Sequence, residues 1–168
     1  MRKISVIIVL CLAIMLTSCK AENKKQIAVA EAGYTCLATV IYNDLNIKSK
    51  LNVLGGGVFS VEVIEPKVLS GLRFEFEKDN MQVSFNELKY ENPLSLDING
   101  FAKILNNVFS RLVSGGTVAE KQGNEYVLSG FAEGMNYILT LNNQGLPLKL
   151  NVPKMDLTAN FFDWNYNK

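Results

Sequence analysis

The side chains that most often carry out catalysis are scarce in this sequence of 168 residues. It contains no histidine, which excludes Ser-His-Asp and Cys-His arrangements and removes the commonest metal ligand. Neither a Gly-x-Ser-x-Gly nor a Ser-x-x-Lys motif is present. The glycines at 55–57 are not followed by Lys-Ser or Lys-Thr, so they predict a strand connection and not a phosphate loop. We therefore expect no metal site and no cofactor.

Carboxylates are the acid–base groups that remain. Glu62 with Glu65, or Glu75 with Glu77, could in principle form a catalytic pair. However, Glu75 and Glu77 alternate with apolar residues and are expected on the solvent-facing side of a strand. Glu65 precedes a proline, so we interpret it as a turn residue. The sequence therefore predicts that the protein is not an enzyme and has no catalytic residues.

The N-terminus has the features of an export signal. Arg2 and Lys3 precede an uncharged apolar run over residues 4–16. This run is long enough for a signal peptide and shorter than the roughly 18 residues that span a bilayer. Residues 1–18 are therefore predicted to direct export, which excludes a role in cytoplasmic metabolism.

The export signal ends in Leu16-Thr17-Ser18-Cys19, which resembles the lipobox of bacterial lipoprotein precursors. This resemblance implies cleavage before Cys19, a diacylglycerol on its thiol and an acyl group, such as palmitate, on the new amine. Two or three acyl chains together hold a protein stably on a membrane surface. The alternative is an ordinary secretory signal with a chance cysteine. The expected organisation is a signal peptide over 1–18, lipidated Cys19 with its tether over 19–33, and one domain over 34–168, held outside the cytoplasm at the cell membrane.

The cysteines and charges of the mature chain restrict it further. If Cys11 leaves with the signal and Cys19 carries lipid, only Cys36 remains, and no intrachain disulfide can form. Cys36 lies in a strand-like run over 34–42, where we expect a small buried hydrophobe and not a nucleophile. Loss of the two basic residues of the signal lowers the basic residues from 17 to 15, against 16 acidic ones. No basic stripe is present, so nucleic-acid binding is excluded.

Most of the mature chain has the period-two alternation of half-buried β-strands. Segments 72–77 and 81–86 form one predicted hairpin, and segments 137–141 and 146–152 form another. Further strands are predicted over 34–42, 47–54, 58–64, 117–121, 124–131 and 157–166. Turn signals recur about every 8 to 12 residues, which is typical of an antiparallel sheet.

One segment has helical periodicity instead. Its apolar residues form a single helix face, and they are Phe101, Ile104, Leu105, Val108, Phe109 and Leu112. Asn99 or Asp97 could cap its start, Gly115-Gly116 ends it, and a weaker helical stretch covers 27–33. The predicted fold class is α+β, a strongly curved antiparallel sheet with one main amphipathic helix across it. Because a helix of about 15 residues covers only part of such a sheet, the remaining apolar face must close into a barrel, bind a ligand or meet another protein.

The order of elements resembles the Lol-type lipoprotein carriers and their lipid-anchored relatives, most closely over 61–66 and 69–74. In such proteins a Glu-Pro turn ends one strand and a Ser-Gly-Leu turn opens the next hairpin. The resemblance implies a half-open β-barrel with helices in its mouth and a cavity that takes acyl chains or stays closed. Within that group the chain resembles the short spore germination lipoproteins, which implies binding to an envelope enzyme that trims peptidoglycan. Its own lipobox and its single main helix are departures from the soluble carriers, so it is not expected to be a freely diffusing shuttle.

Two binding hypotheses follow. In the first, a membrane-anchored lipoprotein binds an envelope protein, such as a cell-wall hydrolase in spore cortex modification or germination. In the second, the concave apolar face carries an acyl chain or a lipoprotein. The candidate surface consists of Phe101, Ile104, Leu105 and Val108 on the helix and Phe162, Trp164 and Tyr166 at the C-terminus. The alternation predicts these three aromatic residues on one strand face and Phe161 on the other. Core packing is the alternative role for both groups, and an uncovered sheet edge could pair with a second copy to form a homodimer.

Overall fold

The structure is a computed structural model, and it describes residues 24–26, 33–54, 57–78, 80–91, 99–113 and 118–166. The strands and the helix are β1 (Lys24–Gln26), β2 (Tyr34–Tyr42), β3 (Leu45–Leu54), β4 (Val58–Glu65), β5 (Arg73–Glu77), β6 (Asn80–Phe85), β7 (Leu88–Glu91), α1 (Asn99–Val113), β8 (Val118–Gln122), β9 (Glu125–Ala132), β10 (Met135–Leu141), β11 (Pro147–Val152) and β12 (Leu157–Tyr166). The predicted signal peptide, Cys19 and the weaker helical stretch at 27–32 lie outside the described residues, as do Asp97 and Gly115-Gly116.

The described strands form one antiparallel sheet with the order β1-β8-β9-β10-β11-β12-β2-β3-β4-β5-β6-β7. Every predicted strand is present, both predicted hairpins form and α1 covers the helical segment, so the predicted α+β class is confirmed. The sequence pattern misses two strands, which are β1, inside the predicted tether, and β7, which pairs with β6. Within the described part of the chain, β1 and β7 each have one neighbour. The sheet is therefore open, with an edge at each of these strands.

The helix α1 connects the two sides of this open sheet. The strand before it, β7, lies at one edge, and the strand after it, β8, lies next to the opposite edge. The predicted apolar stripe of α1 is buried throughout, and the helix contacts β4, β5 and β9. The stripe therefore forms the centre of the core.

No helix in the described ranges is both long and apolar enough to cross a bilayer.

Contacts of Phe109 indicate how strongly the sheet curves. The centroid of its ring lies 5.6 Å from that of Phe59 on β4 and 5.3 Å from that of Phe161 on β12. These two strands are three positions apart, which would separate them by about 14 Å in a flat sheet. Tyr34 on β2 also reaches the same ring, with a centroid distance of 6.5 Å. This convergence on one helical side chain indicates that the sheet curls around α1.

The connection between β4 and β5 contains the segment on which the sequence resemblance rests. β4 ends at Glu65, and Pro66 leads into a 3-10 turn before Gly71, which has a φ of +87°. The amide of Gly71 donates to the carbonyl of Val63 at 2.9 Å, and the amide of Val63 donates to the carbonyl of Leu72 at 2.8 Å. A Glu-Pro turn therefore ends this strand and the Ser-Gly-Leu segment opens the next hairpin, as the resemblance implies.

The predicted facing of the C-terminal aromatic residues is wrong. The pairing of β12 with β2 shifts register between Phe162 and Asn165, which is the sign of a β-bulge, and Asp163 has a φ of +53°. An extra residue in a strand reverses the facing of every residue after it. Trp164 therefore points to the same side as Phe161, and their ring centroids lie 6.4 Å apart.

Candidate ligand cleft

An apolar cleft of about 270 Å³ lies between the C-terminal end of α1 and the β3–β4 hairpin. Its lining consists of Val53, Leu54, Gly57, Val58, Phe59, Phe109, Ser110 and Val113. Ser110 supplies the one polar side chain of this lining, and its hydroxyl donates to Asn106 Oδ1 at 3.3 Å. Gly57 has a φ of +83°, a conformation in which glycine is favoured, where the chain turns into β4. The lining therefore suits an apolar chain and offers little to a polar molecule.

Aromatic rings continue from the cleft into the core. Phe59 and Phe109 stack with their planes 30° apart and their ring centroids separated by 5.6 Å. On the far side of Phe109 lies Tyr34, and the ring of Trp164 lies 5.2 Å from that of Tyr34. The cleft is therefore the outer end of a continuous aromatic region.

Two hydrogen-bond donors in this region have no partner among the described residues. They are the Tyr34 hydroxyl and the Trp164 indole N–H, and both atoms are buried. Burial raises the pKa of the Tyr34 phenol well above its ordinary value, with smaller contributions from Cys36 and Tyr166. The Tyr34 hydroxyl therefore keeps its proton at neutral pH and remains a donor.

The residues of the predicted candidate surface do not form one exposed surface. Phe101, Ile104, Leu105 and Val108 are all buried, so in this state of the protein they serve the core. Trp164 and Phe162 are half-buried, and Tyr166 is half-exposed with its ring 6.5 Å from that of Tyr34. The bulge thus places Trp164 and Tyr166 on the side of Tyr34 and leaves Phe162 on the opposite side.

The sequence pattern did not identify Tyr34 or the strand residues of the cleft as site residues. Tyr34 begins a strand whose alternation places it on the same side as Cys36, so the sequence predicts its burial. Its nearness to Trp164 depends on the pairing of β2 with β12 and on the bulge, which no local pattern reports. The lining of Val58 and Phe59 similarly depends on where α1 ends over the sheet.

The groups that could react chemically lie in unreactive surroundings. Cys36 is buried, and its burial raises the pKa of the thiol to about 12. Glu75 forms a partly exposed ion pair with Arg73 at 2.8 Å, and Glu77 is exposed. No group of three or more potential metal ligands occurs in the part of the chain that the structure describes.

The buried thiol predicts a loss of stability at alkaline pH. Folding raises the pKa of Cys36 from an ordinary value of 9.0 to about 12. The unfolded chain therefore loses this proton first, and the free energy of unfolding should fall as pH rises from 9 to 12, by up to about 1.4 kcal/mol per pH unit. Urea unfolding followed by tryptophan fluorescence at pH 9 and pH 10 should show a smaller fall for Cys36→Ala than for the unmodified chain. Equal falls in the two proteins would contradict a protonated, buried thiol.

Comparison with known proteins gives likeness of fold only. No family model and no curated protein matches the sequence. An uncharacterised conserved protein from Thermus thermophilus is similar in structure, with a TM-score of 0.53 and 12% identity over 82% of this chain and 80% of that one. A LolA superfamily protein from Nitrosomonas europaea has a TM-score of 0.46, with 12% identity over 88% of each chain. A DUF1329 family protein from Desulfovibrio piger has a TM-score of 0.40, with 11% identity over 93% of this chain and 90% of that one. The fold of the Thermus protein is thus shared, the two lower scores carry no structural argument, and the resemblance to spore germination lipoproteins stays a prediction.

Proposed function

We propose that the protein is a lipid-anchored, non-enzymatic binding protein that takes an acyl chain of a lipid or lipoprotein into the cleft at the end of α1. The observation that carries this proposal is the lining of the cleft, in which Ser110 supplies the only polar side chain. An acyl chain is apolar along its length, and each buried methylene group contributes about 0.8 kcal/mol. This is the second of the two hypotheses drawn from the sequence.

The size of the cleft sets how much of a chain it can hold. At about 270 Å³ it is slightly smaller than most small-molecule pockets, which begin near 300 Å³, and so it suits the end of an acyl chain. A longer insertion would require α1 to move away from the sheet and separate Phe109 from Phe59. Side-chain packing holds α1 on the strands, together with a hydrogen bond from Asn107 to Glu133 in the β9–β10 turn. Such packing can open without breaking any strand pairing.

The proposed anchor would hold one edge of the sheet near a membrane. β1 begins at Lys24, five residues after Cys19, and pairs with β8 next to the edge of the sheet. Five extended residues span at most about 18 Å. A lipid on Cys19 would therefore keep this edge within that distance of the bilayer surface, where acyl chains are available.

Blocking the cleft should abolish ligand binding. The chain from residue 20 onward should bind cis-parinaric acid, a fluorescent fatty acid, and Ser110→Trp should weaken that binding at least tenfold because the indole would fill the apolar space. Ser110 is exposed on α1, so the substitution leaves the buried stripe intact. Ser129→Trp places the same side chain at an exposed position on β9 and should bind the probe normally. Absence of binding by the unmodified chain, or equal binding by Ser110→Trp, would contradict the proposal.

Removing the proposed lipid site should release the protein from the membrane. In cells fed an alkyne analogue of palmitate, the full chain should incorporate the label and sediment with membranes, whereas Cys19→Ala should do neither because it lacks the acylated thiol. Cys36→Ala serves as the matched control, since it removes a thiol from the buried core. Equal labelling of Cys19→Ala and the full chain would refute the anchor.

One observation favours the first hypothesis, binding to an envelope protein. Phe131 and Ile138 are 54% and 44% exposed on β9 and β10. Phe131 pairs with Asn136, so Ile138 is its diagonal neighbour on the same side of the sheet. Adjacent exposed apolar side chains are a common feature of protein contact surfaces. A cell-wall hydrolase that acts in germination is the partner proposed for this surface.

Polar substitution of this outer pair should weaken capture of such a partner. In affinity purification from the cell envelope, the lipidated chain should retain a cell-wall hydrolase in a near-equal amount, and Phe131→Ser with Ile138→Ser should lose it. Val68→Ser, at a position that is more exposed still, is the matched control and should retain the hydrolase. Trp164→Ala is unsuitable here because its ring packs against Tyr34 and Phe161. Recovery of no hydrolase, or equal recovery by the double variant, would refute this partner.

A further inference from the structure

The Tyr34 hydroxyl and the Trp164 N–H are both buried, and neither has a hydrogen-bond partner among the described residues. Their ring centroids are 5.2 Å apart. Most buried polar groups in folded proteins have a hydrogen-bond partner, and leaving one unsatisfied costs about 1–3 kcal/mol. A pair of such donors in one place is therefore a costly arrangement unless a ligand completes it.

Tyr34 adjoins the apolar lining directly, and Trp164 lies behind it, in ring contact with Tyr34. Tyr34 pairs with Val53 in the ladder between β2 and β3, and its ring reaches that of Phe109, at 6.5 Å between centroids. Val53 and Phe109 are themselves part of the cleft. Tyr34 is therefore next to the inner side of the apolar space, and a second uncharged donor, the Trp164 N–H, lies beside Tyr34.

The Ser49 hydroxyl is a buried polar group that can be compared with those of Tyr34 and Trp164. The Ser49 hydroxyl also lacks a partner among the described residues, but Ser49 pairs with Ala38 and Val63, which do not line the cleft. An unsatisfied group alone therefore indicates no ligand. What distinguishes Tyr34 and Trp164 is that they lie together and that Tyr34 contacts residues of the apolar lining.

We propose that the Tyr34 hydroxyl and the Trp164 N–H bind the carbonyl end of the acyl ligand, as a carboxylate or an ester. This inference rests on the proposed acyl-binding function and adds the chemistry of the ligand's polar end. The Trp164 N–H can only donate, whereas the Tyr34 hydroxyl can donate or accept, so the ligand must offer at least one hydrogen-bond acceptor. Tyr166, half-exposed and in edge contact with Tyr34, borders the side that faces solvent, where a larger head group would extend.

Removing the phenolic oxygen of Tyr34 should weaken ligand binding without lowering the stability of the fold. Tyr34→Phe should lower the affinity of the chain from residue 20 onward for cis-parinaric acid roughly tenfold, because one hydrogen bond to the ligand is lost. The same variant should be at least as stable as the unmodified chain in urea, since it also removes an unsatisfied buried oxygen. Ser49→Ala is the matched control, because it removes a buried hydroxyl elsewhere and should leave the affinity unchanged. Trp164→Phe removes the second donor while keeping a ring, and should weaken binding by a similar factor.

Competition by other ligands tests the polar end directly. Palmitate and methyl palmitate should displace the probe, and hexadecylamine, whose ammonium group accepts no hydrogen bond, should be at least tenfold weaker. Palmitate acting much more strongly than its methyl ester would identify a free fatty acid as the preferred ligand, and the reverse order would identify an acyl ester. If the unmodified chain binds the probe but both variants bind it equally well and the amine competes equally, this inference is overturned and acyl binding stands. If the unmodified chain does not bind the probe, both proposals are overturned.

Discussion

Among the described residues, one α-helix covers the concave side of a twelve-stranded sheet, and this constraint shapes the rest of the described structure. A helix of 15 residues is about 22 Å long, whereas a strand of ten residues extends for about 33 Å. The sheet can bury its apolar side only by curling until strands far apart in its order reach the same helical side chains. Phe109, in contact with rings from β2, β4 and β12, is where this convergence is greatest. The cleft lies where α1 ends and no longer covers the β3–β4 hairpin.

The curled sheet also brings together two buried polar groups, the Tyr34 hydroxyl and the Trp164 N–H, in a region that apolar side chains could fill. Phenylalanine at position 34 would fill nearly the same volume as Tyr34 and leave no hydroxyl without a partner. The nearby indole of Trp164 turns inward only because of the bulge in β12, which also disturbs the pairing with β2. Two local departures from ideal packing thus meet at one place beside the cleft. A ligand of the proposed kind would supply the missing hydrogen bonds and remove the cost of leaving these groups unsatisfied.

Local sequence patterns predicted most of the elements and little of the site. Alternation identified the strands from β2 to β6 and from β8 to β12, and the helical stripe identified α1, because burial on one side leaves a periodic signal. The short strands β1 and β7 were missed, since three or four residues at an edge carry too little periodicity. The facing of Trp164 was predicted wrongly because alternation assumes an unbroken ladder. The nearness of Tyr34, Trp164 and Phe109 depends on strand order and curvature, which are non-local properties.

Burial and pairing set the surroundings of the groups that could react chemically. A catalytic group needs a pKa near the working pH and access to its substrate. Burial instead shifts the Cys36 thiol toward its protonated form, and the Glu75 carboxylate faces solvent in an ion pair with Arg73. Burial also keeps the proton on the Tyr34 phenol, which makes it a fixed donor and not an acid that exchanges its proton at neutral pH. Fixed donors near an apolar space can orient a ligand, which is what the proposed binding function requires of them.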